Sequence, residues 1–281
     1  MKALSKSIFL AISVVPLVAG LVYCLLYALG LVGLTAKGFT LDHFKTVFEE
    51  GYFVKALLYS VYQALTGTLL ALSLAFVLFY LVKNGSKSTT QSRWPVLYVP
   101  LLMPPMVVSF VFFAFWSNSG LFSRLLHSLG WLSEPSAFAN VVNGKAGMAI
   151  ILAHLFLAVP FFTINLFNIY RGQNIGQLKQ LALSLGASQV QVIKRVEMPV
   201  LLRFMRRVAV LYFIFMFGAY EIPLLLGAES TRMLSLVVLD KLTRFDVMAK
   251  PQAYAMASMY LVLATCLVFF LFSAHKKSKH A

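Results

Sequence analysis

Residues that can carry charge chemistry are sparse in this chain, and they do not cluster. Glu221, in the run FGAYEIPLLLG, is the carboxylate set most clearly within an apolar segment. A carboxylate at mid-membrane costs about 2.5–3.5 kcal/mol on insertion scales, so keeping one there points to a task such as attracting a cation. Tyr220 beside it offers a ring face for cation–π contact. The competing reading puts Glu221 at the membrane interface or pairs it with a neighbouring span. His154 stands alone on an apolar helix, where an imidazole is more often a satisfied packing group than a ligand. Asn165 in the same segment can bridge helices by hydrogen bonding. No set of His, Cys, Asp and Glu has metal-ligand spacing, and no Ser/His/Asp constellation occurs. Cys24 and Cys266 lie inside apolar blocks, where a thiol acts as a small hydrophobe. The expectation is a chain with no catalytic residues, no metal and no cofactor.

A second kind of chemistry, docking, is written in Gln180–Pro199, QLALSLGASQVQVIKRVEMP. Leu178, Leu181, Ala182 and Leu185 fall at i, i+3, i+4 and i+7, one face of a short helix. Gly186-Ala187 permits a sharp break, Ser188 can cap a second helix through Val192 and Val196, and Pro199 marks a turn or kink. Lys194, Arg195, Arg203, Arg206 and Arg207 rim the segment with positive charge. The plainer alternative is an amphipathic connector lying on a membrane surface.

The elements that position these residues are membrane helices. Of 281 residues 60% are hydrophobic and 12% charged, against about 25% charged in a soluble domain. The apolar residues come in blocks of roughly 20, the length that crosses a bilayer as a helix. Six spans are expected, at about 7–33, 54–82, 95–116, 147–170, 208–227 and 253–273, within one transmembrane domain covering 1–281. The N-terminal basic-then-apolar segment reads as a retained first span, because no small-x-small cleavage site closes it. Pro104-Pro105 is expected to kink the third span, and proline kinks are tolerated where neighbours rescue the freed carbonyls. Short amphipathic helices are expected within 38–53, capped by Thr40, and around Gly120–Leu132. A Ser/Thr/Lys loop is expected at 84–92.

Charge sets the orientation. An even number of spans puts both termini on one side with Lys2, Lys6, Lys83, Lys87, Arg93, Arg171, Lys179, the five basic residues of the docking segment, Lys276, Lys277 and Lys279. Glu197 is the one acid on that side. Both termini and the loop 171–207 are therefore expected in the cytoplasm. The net charge of +15 is explained as a topology signal and a contact with anionic headgroups, without nucleic acid.

The docking segment resembles the EAA loop of binding-protein-dependent ABC importer permeases. That pattern reads roughly Glu-Ala-Ala, three residues, Gly, nine residues, Ile-x-Leu-Pro. Gln180-Leu181-Ala182 stands where Glu-Ala-Ala belongs, Gly186 matches, Ala187 follows, and Val196-Glu197-Met198-Pro199 stands at the Ile-x-Leu-Pro position. Gln180 and Leu181 depart from the pattern; the Gly-to-Pro spacing does not. The resemblance implies an all-α, type I importer permease bundle of six transmembrane helices with a cytoplasmic coupling helix between spans 4 and 5. It implies that Gln180, Leu181, Ala182, Leu185, Gly186, Ala187 and Pro199 couple to a separate cytoplasmic ATPase subunit. It further implies a second permease, identical or paralogous, a solute-binding protein outside, and a place in the bacterial inner membrane. The chain has no G-x-x-x-x-G-K-[ST] loop, so ATP chemistry belongs to another polypeptide. The stretch GAYEIPLLLGAESTRMLSLVVLDKL resembles permeases of the polyamine (spermidine/putrescine) group, which suggests a translocation path past Glu221 and Tyr220 for a polyamine or other cation. Sugar, iron and phosphonate importers are the alternatives within the class. An ATP-independent secondary transporter would need several charges along an intramembrane path.

Overall fold

Long apolar runs with few breakers make long helices, and punctuation by Gly and Pro decides where they stop. The computed structural model describes residues 2–34, 36, 38–83 and 87–277, and no strand occurs among them. In chain order the helices are α1 (Lys2–Ala28), α2 (Asp42–Glu49), α3 (Tyr52–Lys83), α4 (Lys87–Leu102), α5 (Pro105–Trp116), α6 (Leu121–Ser128), α7 (Met148–Gly172), α8 (Ile175–Ser184), α9 (Gln189–Val192), α10 (Met198–Phe217), α11 (Glu221–Leu226), α12 (Leu234–Thr243) and α13 (Ala249–Lys277). A short 3₁₀ turn follows α6 at Pro135–Ala137, and a π turn, Ile193–Glu197, joins α9 to α10. Lys279 and the 84–86 part of the expected Ser/Thr/Lys loop lie outside the described residues; from Lys87 onward that stretch is helical.

Five stretches among the described residues are long and apolar enough to cross a bilayer: Phe9–Ala28, Tyr52–Lys83, Pro105–Ser128, Met148–Gly172 and Ala249–Phe269. Two expected spans are built differently from the sequence reading. The third, over 95–116, is broken rather than kinked. Met103 lies between the two helices, Pro104 after it takes ψ 142°, and Pro105 fits the first turn of α5, where its missing N–H costs nothing. The stretch Pro105–Ser128 is in turn α5 and α6, separated at 117–120. The fifth, over 208–227, is also discontinuous. Its helix α10 starts earlier, at Met198, ends at Phe217 and resumes as α11 only at Glu221. Arg203, Arg206 and Arg207 on its first half keep α10 out of the five.

The chain divides into two compact units. One comprises Met1–Ser60 and Arg232–Ala281. In it α13 packs on α1, α2 and α12. Tyr23, Tyr27 and Tyr254 form a ring cluster, with the Tyr27 and Tyr254 centroids 4.4 Å apart. Ser60 Oγ accepts the Leu234 N–H at 2.7 Å, which supplies a partner for a donor at the start of α12. The Lys241 ammonium, buried on α12, donates to Glu50 at 2.7 Å and to Gln252. Thr40 Oγ1 accepts the Asp42 N–H at 3.1 Å, so the expected threonine signal is present, although the cap position itself falls on Leu41.

The other unit, Val61–Thr231, carries the docking segment. Two helices present stripes of buried residues at i, i+4 and i+8, Ala71, Ala75 and Phe79 on α3 and Ala158, Phe162 and Leu166 on α7; Leu201 and Met205 continue the same core from α10. Small residues on α3 let the neighbouring helices approach closely, as is usual for helix packing in lipid. A Cβ placed on Gly67 would stand 2.4 Å from Met216 Cε of α10. His154 is buried and its Nδ1–H donates to the Ile150 carbonyl at 2.8 Å, as expected of a packing group. Asn165 does not bridge helices through its amide N–H, which donates within α7 to Phe161 O at 2.9 Å.

Candidate functional site: an anchored, exposed loop

The residues 175–199 fold as a helix, a tight turn and a second helix. Asn174, with φ 50°, turns the chain out of α7, and α8 then runs to Ser184. At the turn Gly186 has φ +87°, the left-handed region that glycine enters without a Cβ penalty. A Cβ built there meets nothing within 4 Å, so the space over Gly186 is open. The Gly186 N–H donates to Leu183 O and the Ala187 N–H to Ala182 O, closing the end of α8. Ser188 then opens α9 with a capping box: the Ser188 N–H donates to Gln191 Oε1 at 2.8 Å, and the Gln191 N–H to Ser188 Oγ at 3.4 Å.

One expectation for the segment is corrected. Pro199 does not end the second helix. Residues 189–217 run on without interruption, with Pro199 exposed in the first turn of α10. A proline there removes the donor to the carbonyl of residue 195 and crowds it. The π turn at 193–197 widens the helix at that point and relieves both problems.

The segment has an exposed rim and buried feet. Leu181 is 61% exposed and Leu185 81%, with Leu178 and Val190 also exposed. Gln180 and Gly186 are exposed, while Ala182 and Ala187 are half-buried. The feet are Ile175, which enters the α3–α7–α10 core, and Val192. Lys194, Arg195, Arg203 and Arg206 are exposed beside them. The structure thus brings the sequence-predicted residues of 180–187 onto one protruding turn and leaves Pro199 in the helix behind it.

The strongest contact in the region was not predicted from sequence. Glu197, at the end of the π turn, has no exposed surface, and the Lys83 ammonium donates to its Oε1 at 2.5 Å. Lys83 ends α3, and its side chain is 12% exposed. Three rings surround its charge: Tyr170 of α7 at 4.6 Å, Tyr80 at 5.3 Å and Phe79 at 5.7 Å from the ring centres. Neither Glu197 Oε2 nor the buried Tyr80 hydroxyl has a hydrogen-bond partner among the described residues. The available signal was Glu197 itself, a lone acid among basic residues, which has to be neutralised if buried.

Glu221 is exposed at the first position of α11, directly after the break at 218–220, and Tyr220 is half-buried before it. Ile222 and Leu226 of α11 pack with Val108 of α5 and Ala149, Ile150 and Ala153 of α7. A cavity of about 430 Å³ lies between α5, α6 and α7, lined by Met103, Phe112, Trp116, Leu152, Phe156 and neighbours. Its walls carry no charged side chain to orient a polar solute. Among the described residues no group of His, Cys, Asp and Glu is arranged to hold a metal ion.

A solved bacterial ABC transporter involved in the import of the acidic polysaccharide alginate contains a chain that superposes with a TM-score of 0.78 over 98% of this chain and 94% of that one, at 17% identity. The fold is that of an ABC importer permease. A second alginate transporter structure, in complex with a pentasaccharide-bound periplasmic protein, gives 0.70 over 96% of this chain. Sequence relatives agree with the fold. The molybdenum transport system permease protein ModB of Mycobacterium tuberculosis is 27% identical over 217 residues, 76% of each chain. The thiamine permease ThiP of Haemophilus influenzae is 28% identical over 230 residues, covering 79% of this chain but 39% of its own length. The spermidine/putrescine permease PotC of the same organism is 22% identical over 251 residues, 88% of this chain and 86% of that one. No protein-family model matches the chain.

Removing one partner of a buried ion pair costs about 3–5 kcal/mol, because the other charge is left unpaired. Glu197→Gln or Lys83→Met should therefore lower the thermal unfolding midpoint of the detergent-solubilised protein clearly. The volume-matched double variant Lys83→Met/Glu197→Met should recover most of that loss. Equal destabilisation by the single and double variants would show that the pair is not held as described.

Proposed function

We propose that the chain is a membrane-spanning permease subunit of an ATP-driven ABC importer, acting as one transmembrane domain. The observation that carries this reading is the turn at 185–187. Apolar Leu181 and Leu185 stand exposed on a protein that buries the feet of the same loop, and the space over Gly186 is open to another backbone. A surface of this kind, with apolar anchors and a basic rim that steers approach, suits a groove on a cytoplasmic ATPase subunit. Gln180, Leu181, Ala182, Leu185, Gly186 and Ala187 would form the contact, and Pro199 would belong to the helix that carries the load onward. A second permease, identical or paralogous, and an extracytoplasmic solute-binding protein complete the assembly. The positive-inside bias supports a bacterial inner-membrane topology with both termini and this loop on the cytoplasmic side.

For the solute, the relatives in hand serve different cargoes, named for molybdenum, thiamine and spermidine/putrescine. Two points favour a polyamine or other small cation. The PotC likeness covers 88% of the chain, and Glu221 is an exposed carboxylate at a helix break, with Tyr220 adjoining. Sugar, iron and phosphonate remain the alternative cargoes.

Three measurements test the proposal. Gly186→Asp adds a side chain and a charge on a left-handed backbone that faces open space, so it should leave the protein in the membrane but cut solute uptake per ATP hydrolysed; unchanged uptake would remove the coupling role. Glu221→Gln should raise the KM for labelled spermidine or thiamine in vesicles holding the whole importer, with ATP hydrolysis retained; unaltered uptake kinetics would take Glu221 out of the path. With Cys24→Ala and Cys266→Ser in place, a Leu185→Cys variant should react with an impermeant maleimide only in inverted vesicles. Labelling in right-side-out vesicles would reverse the topology.

A further inference from the structure

We infer that Glu197 and Lys83 form a rigid strut that obliges α3 to follow the docking loop, a positioning role that rests on the functional reading above. The loop is held by two kinds of foot. Ile175 and Val192 are apolar, and apolar contacts are non-directional, so they can slide over a core surface without a large penalty. The contact between Glu197 Oε1 and Lys83 Nζ is different: at 2.5 Å and with the carboxylate wholly buried, it cannot lengthen without leaving a charge unpaired. Tyr170 and Phe79 close on the ammonium from α7 and α3, so the lysine has no free rotation to absorb movement. Lys179 of α8 adds a second positive charge near Lys83.

The geometry gives this contact leverage. Glu197 lies one helical segment beyond the turn at Gly186, and Lys83 is the last residue of a helix 32 residues long. A push on Leu181 and Leu185 reaches Glu197 through α9, whose start is fixed by the Ser188 capping box. From there it passes to the end of α3 and, through Tyr170, to the end of α7. The loop, α3 and α7 thus move as one body at this end of the unit, while the break at Gly186 lets the loop's tip conform to its partner.

The test uses the assembled permease–ATPase complex in lipid nanodiscs, in the background lacking native cysteines. Spin labels are placed on exposed Gln189→Cys of α9 and Leu81→Cys of α3, and their separation is read before and after trapping with ATP and vanadate. The wild-type pair should give one narrow distance that does not change on trapping. The Lys83→Met/Glu197→Met variant should broaden it and shift it by several ångström on trapping, although its thermal stability is largely recovered. If the Met/Met variant does not accumulate in the membrane, Glu197→Gln takes its place with the same outcomes. A wild-type distance that changes on trapping, or a Met/Met distance as narrow and fixed as wild type, overturns the strut. Failure of the ATPase subunit to bind the wild-type permease at all overturns the functional reading and the strut with it.

Discussion

A carboxylate with no access to solvent must find its counter-charge inside the protein, and the arrangement of the docking segment follows from that. Glu197 can be buried only because Lys83 reaches it. Lys83 can remain charged at the end of an apolar helix because Glu197 and three aromatic rings receive it. The pair joins residues 114 positions apart and fixes the base of the loop, so that the leucines at its tip can be left uncovered. Without such a base, exposed apolar side chains on a short helix would be expected to fold back against the bundle or lie flat on the membrane.

The helix breaks belong to the same economy of polar groups. In hydrocarbon each backbone donor and acceptor needs an internal partner, so interruptions occur only where residues supply the geometry. Pro104-Pro105 and the turn at 218–220 are such places, and Met103, Val108 and Ile222 beside them pack in one core. The break before Glu221 is notable because it places a charged residue at a helix start, where the macrodipole favours a carboxylate.

Much of this was legible in the sequence. Apolar run length located the long helices, since composition alone separates a bilayer-crossing segment from a soluble one. The two-helix segment was legible because its signals are local: Leu spacing, Gly186 at the turn, and Ser188 as a cap. What escaped was set by neighbours distant in sequence. The Lys83–Glu197 contact depends on two helices meeting. The continuity of α9 through α10 was hidden because Pro199 ordinarily signals an end, and only a widened turn lets a helix run through it. The third span looked continuous because Pro104-Pro105 can kink or break a helix, and packing decides which. Asn165 was read as a bridge between helices, yet its amide found an acceptor one turn away.

The π turn at 193–197 also sets a phase. One additional residue in a helical turn rotates everything beyond it by about 100° about the axis. Upstream of the turn lie the tip leucines; downstream lie Leu201 and Met205, fixed in the core. Losing a single residue from this stretch would let it relax to an ordinary α turn. Every other side chain would be retained, but the tip would be aimed roughly a quarter-turn away. The segment thus sets an angle as well as a contact: its length, more than its composition, determines the direction in which the loop faces.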